Sequence, residues 1–185
     1  MIQSKQDLKE YIAADNSFLR PESIKAKAIA NFANYPTQSL KKYLYYLRKQ
    51  EYYINTAKGN KIKGLLGLLF ERRKNKLGMR LGIEIGPNCF EKGLSIWHVG
   101  NIIVNADAKI GENCTLHGGN CIGNNGKDNK VPRIGNNVDI GYGAVVIGDI
   151  EIADNVTIGA NAVINKSIIT PDSVVVGIPG RMIQR

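Results

Sequence analysis

Two histidines, His98 and His117, are the only imidazoles in this 185-residue chain, and both fall in one run, "GLSIWHVGNIIVNADAKIGENCTLHGGNCIGNNG", at 93–126. Histidine is the one side chain whose unperturbed pKa lies near neutrality, so each is a candidate proton acceptor. Three cysteines, Cys89, Cys114 and Cys121, give an odd count with no CxxC pair. That spacing suggests neither a disulfide framework nor a zinc site, and the cysteines read as small core or strand residues; no metal is expected.

The run that holds the histidines belongs to a longer regular pattern. Val104, Ile110, Leu116 and Ile122 fall at every sixth position, and Ile134, Ile140, Val146, Ile152, Ile158 and Ile164 form a second series with the same step. Several are followed by glycine, as in "IGENCT", "IGYGAV" and "IGANAV". A step of six fits neither an α-helix nor a β-sandwich; it is the hexapeptide period of a parallel β-helix, in which three hexapeptides close one coil of roughly 18 residues. Aliphatic residues fill the cramped interior, and Gly, Asn and Asp serve the corners where φ is positive. Counting in coils puts Ile122, Ile140 and Ile158 on one face and Ile134 and Ile152 on another. No coil can bury its own face, so stability must come from stacking.

Two interruptions stand out. Between Ile122 and Ile134 the stretch "NNGKDNKVP", residues 124–132, has no aliphatic midpoint and is expected to bulge as a loop. Upstream of Val104 the count lands on His98, whereas Ile96 and Ile102 keep a register two residues out of step. His98 therefore takes an inward repeat position at a register break, and such breaks in regular scaffolds often carry function. His117 follows the inward Leu116 and should point outward.

The leading residues have a different period. Leu8, Tyr11 and Ile12, then Leu40, Tyr43, Leu44 and Leu47, repeat at helical spacing between Ser4 and about Ala57. Ser4 and Asp7 resemble a capping box, Pro21 and Pro36 mark helix starts or breaks, and "KIKGLLGLLFERRKNKLG" predicts a further helix over 61–78. The net charge of +9 is unevenly placed: residues 1–81 hold 17 Lys and Arg against 6 Asp and Glu, and residues 82–185 hold 8 against 10. The chain thus divides into a basic α-helical region, 1–81, and a β-helix domain, 82–185, with its loop at 124–132. "GLLGLLF" is too short to span a bilayer and the first residues are charged, so the expected location is the cytoplasm. No nucleic-acid reading motif accompanies the positive charge, and no nucleic-acid partner is expected.

Residues 83–185, through "LSIWHVGNIIVNADAKIGENCTLHGG", "GNNGKDNKVPRIG" and "IGANAVINKSIITPDSVVVGIPGRMI", resemble the left-handed β-helix acyltransferases. The resemblance is closest to the serine acetyltransferase branch, which includes bacterial O-acetyltransferases of capsule, exopolysaccharide and lipopolysaccharide. It implies a mainly β, left-handed parallel β-helix behind a helical segment, and an acetyl-CoA-dependent O-acetyltransferase. His98 matches the general base, which takes the acceptor hydroxyl's proton during direct attack on the thioester. Glu84 in "GIEIGPN" is the best match to the carboxylate that orients it, with Asp107 or a backbone carbonyl as alternatives.

The resemblance also bears on the acceptor. Serine-specific members carry an Asp before the catalytic histidine and an Arg-His pair before the loop proline, where this chain has Trp97 and Lys130-Val131. Aromatic rings pack on sugar C–H faces, so the expected acceptor is a saccharide hydroxyl, contacted by Trp97, His117 and Lys130 and in some cases lipid-linked. Serine is the alternative acceptor, and a non-catalytic β-helix binding module is the other rival. Gly123, Tyr142, Ala160, Lys166 and Arg181 match positions that line acetyl-CoA in the groove between neighbouring β-helices, which implies a homotrimer or a dimer of trimers. The basic helices, "KIKGLLGLLFERRKNK" above all, are a candidate for peripheral contact with anionic lipid at the inner membrane face.

Overall fold

The structure is a computed structural model that describes residues 1–15, 23–33 and 35–183. Four helices lead: α1 (Lys5–Ala14), α2 (Ile24–Phe32), α3 (Pro36–Thr56) and α4 (Lys61–Leu81). The expected capping box is present, with the Ser4 side chain accepting from the Asp7 N–H and the Asp7 carboxylate accepting from the Ser4 N–H. Pro36 opens α3 at a position where its missing N–H costs nothing. Pro21 lies outside the described residues. Gly82, with φ of 68°, ends α4 in the left-handed conformation, and the chain turns there into the first strand.

Short strands form three parallel faces. One sheet contains β1 (Ile83–Ile85), β3 (Ile102–Val104), β6 (Cys121–Gly123), β9 (Val145–Ile147) and β12 (Val163–Ile164). A second contains β4 (Lys109–Ile110), β7 (Arg133–Ile134) and β10 (Glu151–Ile152). The third contains β2 (Ser95–Ile96), β5 (Thr115–Leu116), β8 (Asp139–Ile140), β11 (Thr157–Ile158) and β13 (Val174–Val176), closed by the antiparallel β14 (Arg181–Ile183). This is the parallel β-helix that the hexapeptide period predicts, in the left-handed form that the resemblance implies.

Two register expectations are corrected. Ile140 stacks on Leu116 and Ile158, but Ile122 stacks on Val146 and Val104, on a different face. The loop at 124–132 runs outside the coil, so residues on either side of it are separated by more chain than one coil holds. His98 is also not inward: Ile96, Ile102 and Val104 fill the interior, while His98 is exposed at a corner. The first coil is one or two residues longer than the later 18-residue coils, and the excess falls in the segment 97–101, where β2 turns toward β3.

One corner is held by a ladder of three side-chain amides that ends on a carboxylate. Asn113, Asn137, Asn155 and Asp172 have φ of 58°, 54°, 59° and 57°. Asn113 donates to Asn137 at 3.0 Å, Asn137 to Asn155 at 2.9 Å and Asn155 to Asp172 at 2.9 Å. Asn and Asp tolerate the left-handed conformation better than most residues with a Cβ, so the same side chains satisfy both backbone and ladder.

Ile2, Leu8, Tyr11 and Tyr52 form a small cluster of their own within the helical region, but the rest of that region shares the core of the β-helix. Leu40, Tyr43, Leu44 and Leu47 of α3 pack with Ile83, Ile85, Phe90 and Leu94 of the first coil, and Leu77 and Leu81 of α4 join them. The helices therefore cover the open end of the solenoid, the task of a capping element. The outer surface of the second sheet shows Lys109, Arg133 and Glu151 to solvent. That of the first sheet shows Glu84 on β1 and is apolar beyond it, with Ile103 exposed and Cys121, Val145, Ile147 and Val163 half-buried.

Candidate active site

At the corner between the third and first sheets, β2 is followed by Trp97 and His98, β5 by His117, Gly118 and Gly119, and β8 by Gly141 and Tyr142. Parallel stacking brings these segments together. The Trp97 N–H donates to the Leu116 carbonyl at 3.0 Å, and the His117 N–H donates to that of Ile140 at 3.1 Å. Asn120, fully buried, accepts from the Gly118 N–H at 3.0 Å and donates to the Gly141 carbonyl at 2.8 Å. That amide locks two successive coils at the corner.

Gly118, with φ of 112°, is required twice over. A Cβ there would lie 3.2 Å from the Tyr142 ring and 3.4 Å from the His98 Cβ. Its absence lets both side chains close on the backbone. His117 is half-buried and outward, as expected; its Nε2 lies 2.7 Å from Asp139 Oδ1, and its ring centroid is 4.7 Å from that of Trp97. Asp139 was not singled out from sequence. It faces outward on β8, the strand next to β5, where it pairs with Thr115; the two are 24 positions apart, six more than one coil, because part of the loop leaves the coil.

Trp97, His98, His117 and Tyr142 thus share one corner, with Ala160 one coil further on, where the Asn161 N–H donates to the Tyr142 carbonyl at 2.8 Å. The other sequence candidates lie elsewhere. Glu84, on the outer face of β1, makes no hydrogen bond to His98; it lines a groove of about 940 Å³ with Lys74, Gly78, Ile103, Cys121 and Gly123. In that groove the buried Lys74 Nζ donates to the Ile85 carbonyl at 2.7 Å, and burial pulls its pKa below the ordinary lysine value. Asp107 is exposed on the turn after β3. Lys130, on the exposed loop, pairs with Asp149 at 2.5 Å. Lys166 follows β12 and Arg181 lies on β14, both exposed. Gly123 and Lys166 therefore sit at one edge of the first sheet, and Tyr142 and Ala160 at the other.

The fold is a β-helix built on hexapeptide repeats. Residues 132–166 match the family model described as bacterial transferase hexapeptide (six repeats). The serine acetyltransferase of Synechococcus elongatus is 38% identical over 107 residues, 56% of this chain and 43% of that protein. Soybean serine acetyltransferase, solved as the apoenzyme, superposes with a TM-score of 0.72 at 22% identity, covering 97% of this chain and 70% of that one. A serine acetyltransferase solved in complex with CoA gives 0.67 at 19% identity, covering 97% and 71%. The chain spans less than half the length of the curated relatives it matches.

These matches overturn the expectation of a saccharide acceptor in capsule, exopolysaccharide or lipopolysaccharide synthesis. The relatives by sequence and by fold are serine acetyltransferases. The reasoning from Trp97 fails for a physical reason as well: its ring packs against the His117 imidazole, so its presence beside His98 is accounted for without a sugar.

Proposed function

We propose that the protein is an acetyl-CoA-dependent serine O-acetyltransferase in which His98 is the general base. The observation that carries this reading is the exposed His98 imidazole at a corner with His117, Gly118 and Tyr142, in a chain whose relatives are serine acetyltransferases. His98 accepts the serine hydroxyl proton as that oxygen bonds to the thioester carbon; the C–S bond breaks, and the proton passes to the departing thiolate. No covalent acetyl-enzyme is required. Glu84 is the carboxylate that would orient the ring, although it makes no hydrogen bond to His98 in the single chain.

The edges of the first sheet suggest how the donor is held. Gly123 and Lys166 at one edge and Tyr142 and Ala160 at the other are separated by the apolar surface of Ile103, Cys121, Val145 and Val163. Packing this surface on neighbouring copies would bury it and bring opposite edges together, which supports a homotrimer, or a dimer of trimers, with acetyl-CoA between subunits. Lys166 and Arg181 would then serve the phosphates.

The location that goes with this reading is the cytoplasm; no helix among the described residues is long and apolar enough to cross a membrane. The outer face of α4 supports an added peripheral contact: Ile62, Leu65 and Leu68 are 72%, 60% and 63% exposed, among Lys61, Arg72, Arg73 and Lys76. Sedimentation with anionic vesicles tests that contact, and no pelleting at low salt removes it.

The activity is tested by following CoA thiol release from acetyl-CoA with L-serine. Serine-dependent release is expected, and its absence at high serine would reject the reading.

A further inference from the structure

We propose that His117 and Asp139 form a clamp for the two charged ends of an α-amino acid acceptor, so that this pair sets specificity for a zwitterion. The inference rests on the serine reading above. Serine carries an ammonium and a carboxylate beside its hydroxyl, and each loses water on binding. The site must therefore offer an anionic acceptor to one and a cationic donor to the other.

The corner supplies both in one pair. His117 Nε2 is engaged with Asp139 Oδ1 at 2.7 Å, which leaves Nδ1 and the second carboxylate oxygen, Oδ2, for a ligand. The two side chains are 27% and 48% exposed, so the pair is fixed yet reachable. A protonated imidazole donates from both nitrogens: Nε2–H to Asp139, and Nδ1–H to the acceptor carboxylate. Asp139 Oδ2 accepts from the ammonium. Trp97, 4.7 Å from the His117 ring, restricts how that ring can turn.

The clamp also lies beside the base. Gly118 follows His117 directly, and a Cβ on it would be 3.4 Å from the His98 Cβ. The charged ends and the reacting hydroxyl of one small acceptor can therefore be served by adjacent groups. Lys130, the cation that the sequence offers for this role, is tied to Asp149 on the loop.

The test compares L-serine with ethanolamine, which keeps the hydroxyl and ammonium but lacks the carboxylate, in the full-length protein and its His117→Gln and Asp139→Asn variants. Each variant should raise the KM for L-serine roughly 10–100-fold, the loss expected for a charged hydrogen bond, with the KM for acetyl-CoA held. His117→Gln should also reduce the preference for L-serine over ethanolamine by a similar factor. A purely structural role would lower kcat for both acceptors and leave their ratio alone, and that result overturns the proposal. Wild-type turnover of L-serine with unchanged KM in both variants overturns the clamp while the acceptor reading stands. Failure of the wild type to turn over or bind L-serine, read by calorimetric titration, overturns both.

Discussion

Arg48 Nε lies 2.8 Å from Asp15 Oδ2, joining the middle of α3 to the end of α1 with both side chains buried. Arg48 Nη1 also donates to Glu51 at 2.9 Å and to the Phe90 carbonyl at 2.8 Å, and Nη2 donates to the Glu91 carbonyl at 2.8 Å. Asp15 Oδ1 in turn accepts from the N–H groups of Gly93 and Leu94 at 3.1 and 3.0 Å. Burial alone would push the guanidinium pKa down, but Glu51 and Asp15 outweigh it and hold it above its ordinary value. Replacing Arg48 with Met strands two buried carboxylates, and it should cost about 3–5 kcal/mol of stability. Urea unfolding followed by circular dichroism measures this, with the midpoint falling well below that of wild type.

His98→Ala should lower kcat with L-serine by roughly 10²–10⁴-fold and leave the KM for acetyl-CoA nearly unchanged. The side chain is exposed and makes no core contact that folding needs, so the variant should melt with wild type. Steady-state thiol release and a thermal melt of the same preparation check both halves.

Asn137 both occupies the left-handed region, with φ of 54°, and bridges Asn113 and Asn155. Asn137→Ala loses both properties and should destabilise by about 1–3 kcal/mol. Asn137→Gly keeps the backbone conformation at ease and should cost less. Chemical unfolding of the two variants ranks them, and an alanine variant as stable as the glycine one would contradict the backbone argument.

Acidification should loosen α1. For Glu91, burial raises the pKa, but hydrogen bonds from the Met1 ammonium and the Tyr11 hydroxyl outweigh it and bring the value below the ordinary carboxylate range. Backbone N–H of Gln3, with the Ser4 side chain next, lowers that of Asp7. A depressed carboxyl pKa stabilises the fold above the unfolded value, and the contribution fades as pH drops through the folded one. Tm should therefore fall on the acid side of the ordinary carboxylate range. Glu91→Gln should flatten that dependence, which differential scanning calorimetry over a pH series would show.

Much of the fold is legible in the sequence because its determinants are local. A six-residue step of Ile, Val and Leu describes the inner ladder, Gly and Asn mark the positive-φ corners, and Ser4, Pro36 and Gly82 bound helices through hydrogen bonds or backbone preferences of a few neighbouring residues. His98 and His117 are visible as candidates for the same reason: they are polar exceptions in a repetitive pattern. The stacking of Ile122 was misplaced because a period cannot reveal how much of a loop leaves the coil.

The sequence by itself determined the coil, its period and the histidines that interrupt it. Only the tertiary structure decided that His98 is exposed at a corner, that Glu84 lines a groove beside α4, and that Asp139 reaches His117. Those relations depend on how many residues each coil expels and on which strands then become neighbours. That choice is made by the packing of the whole stack on its helical cap, where distances between residues many positions apart are set.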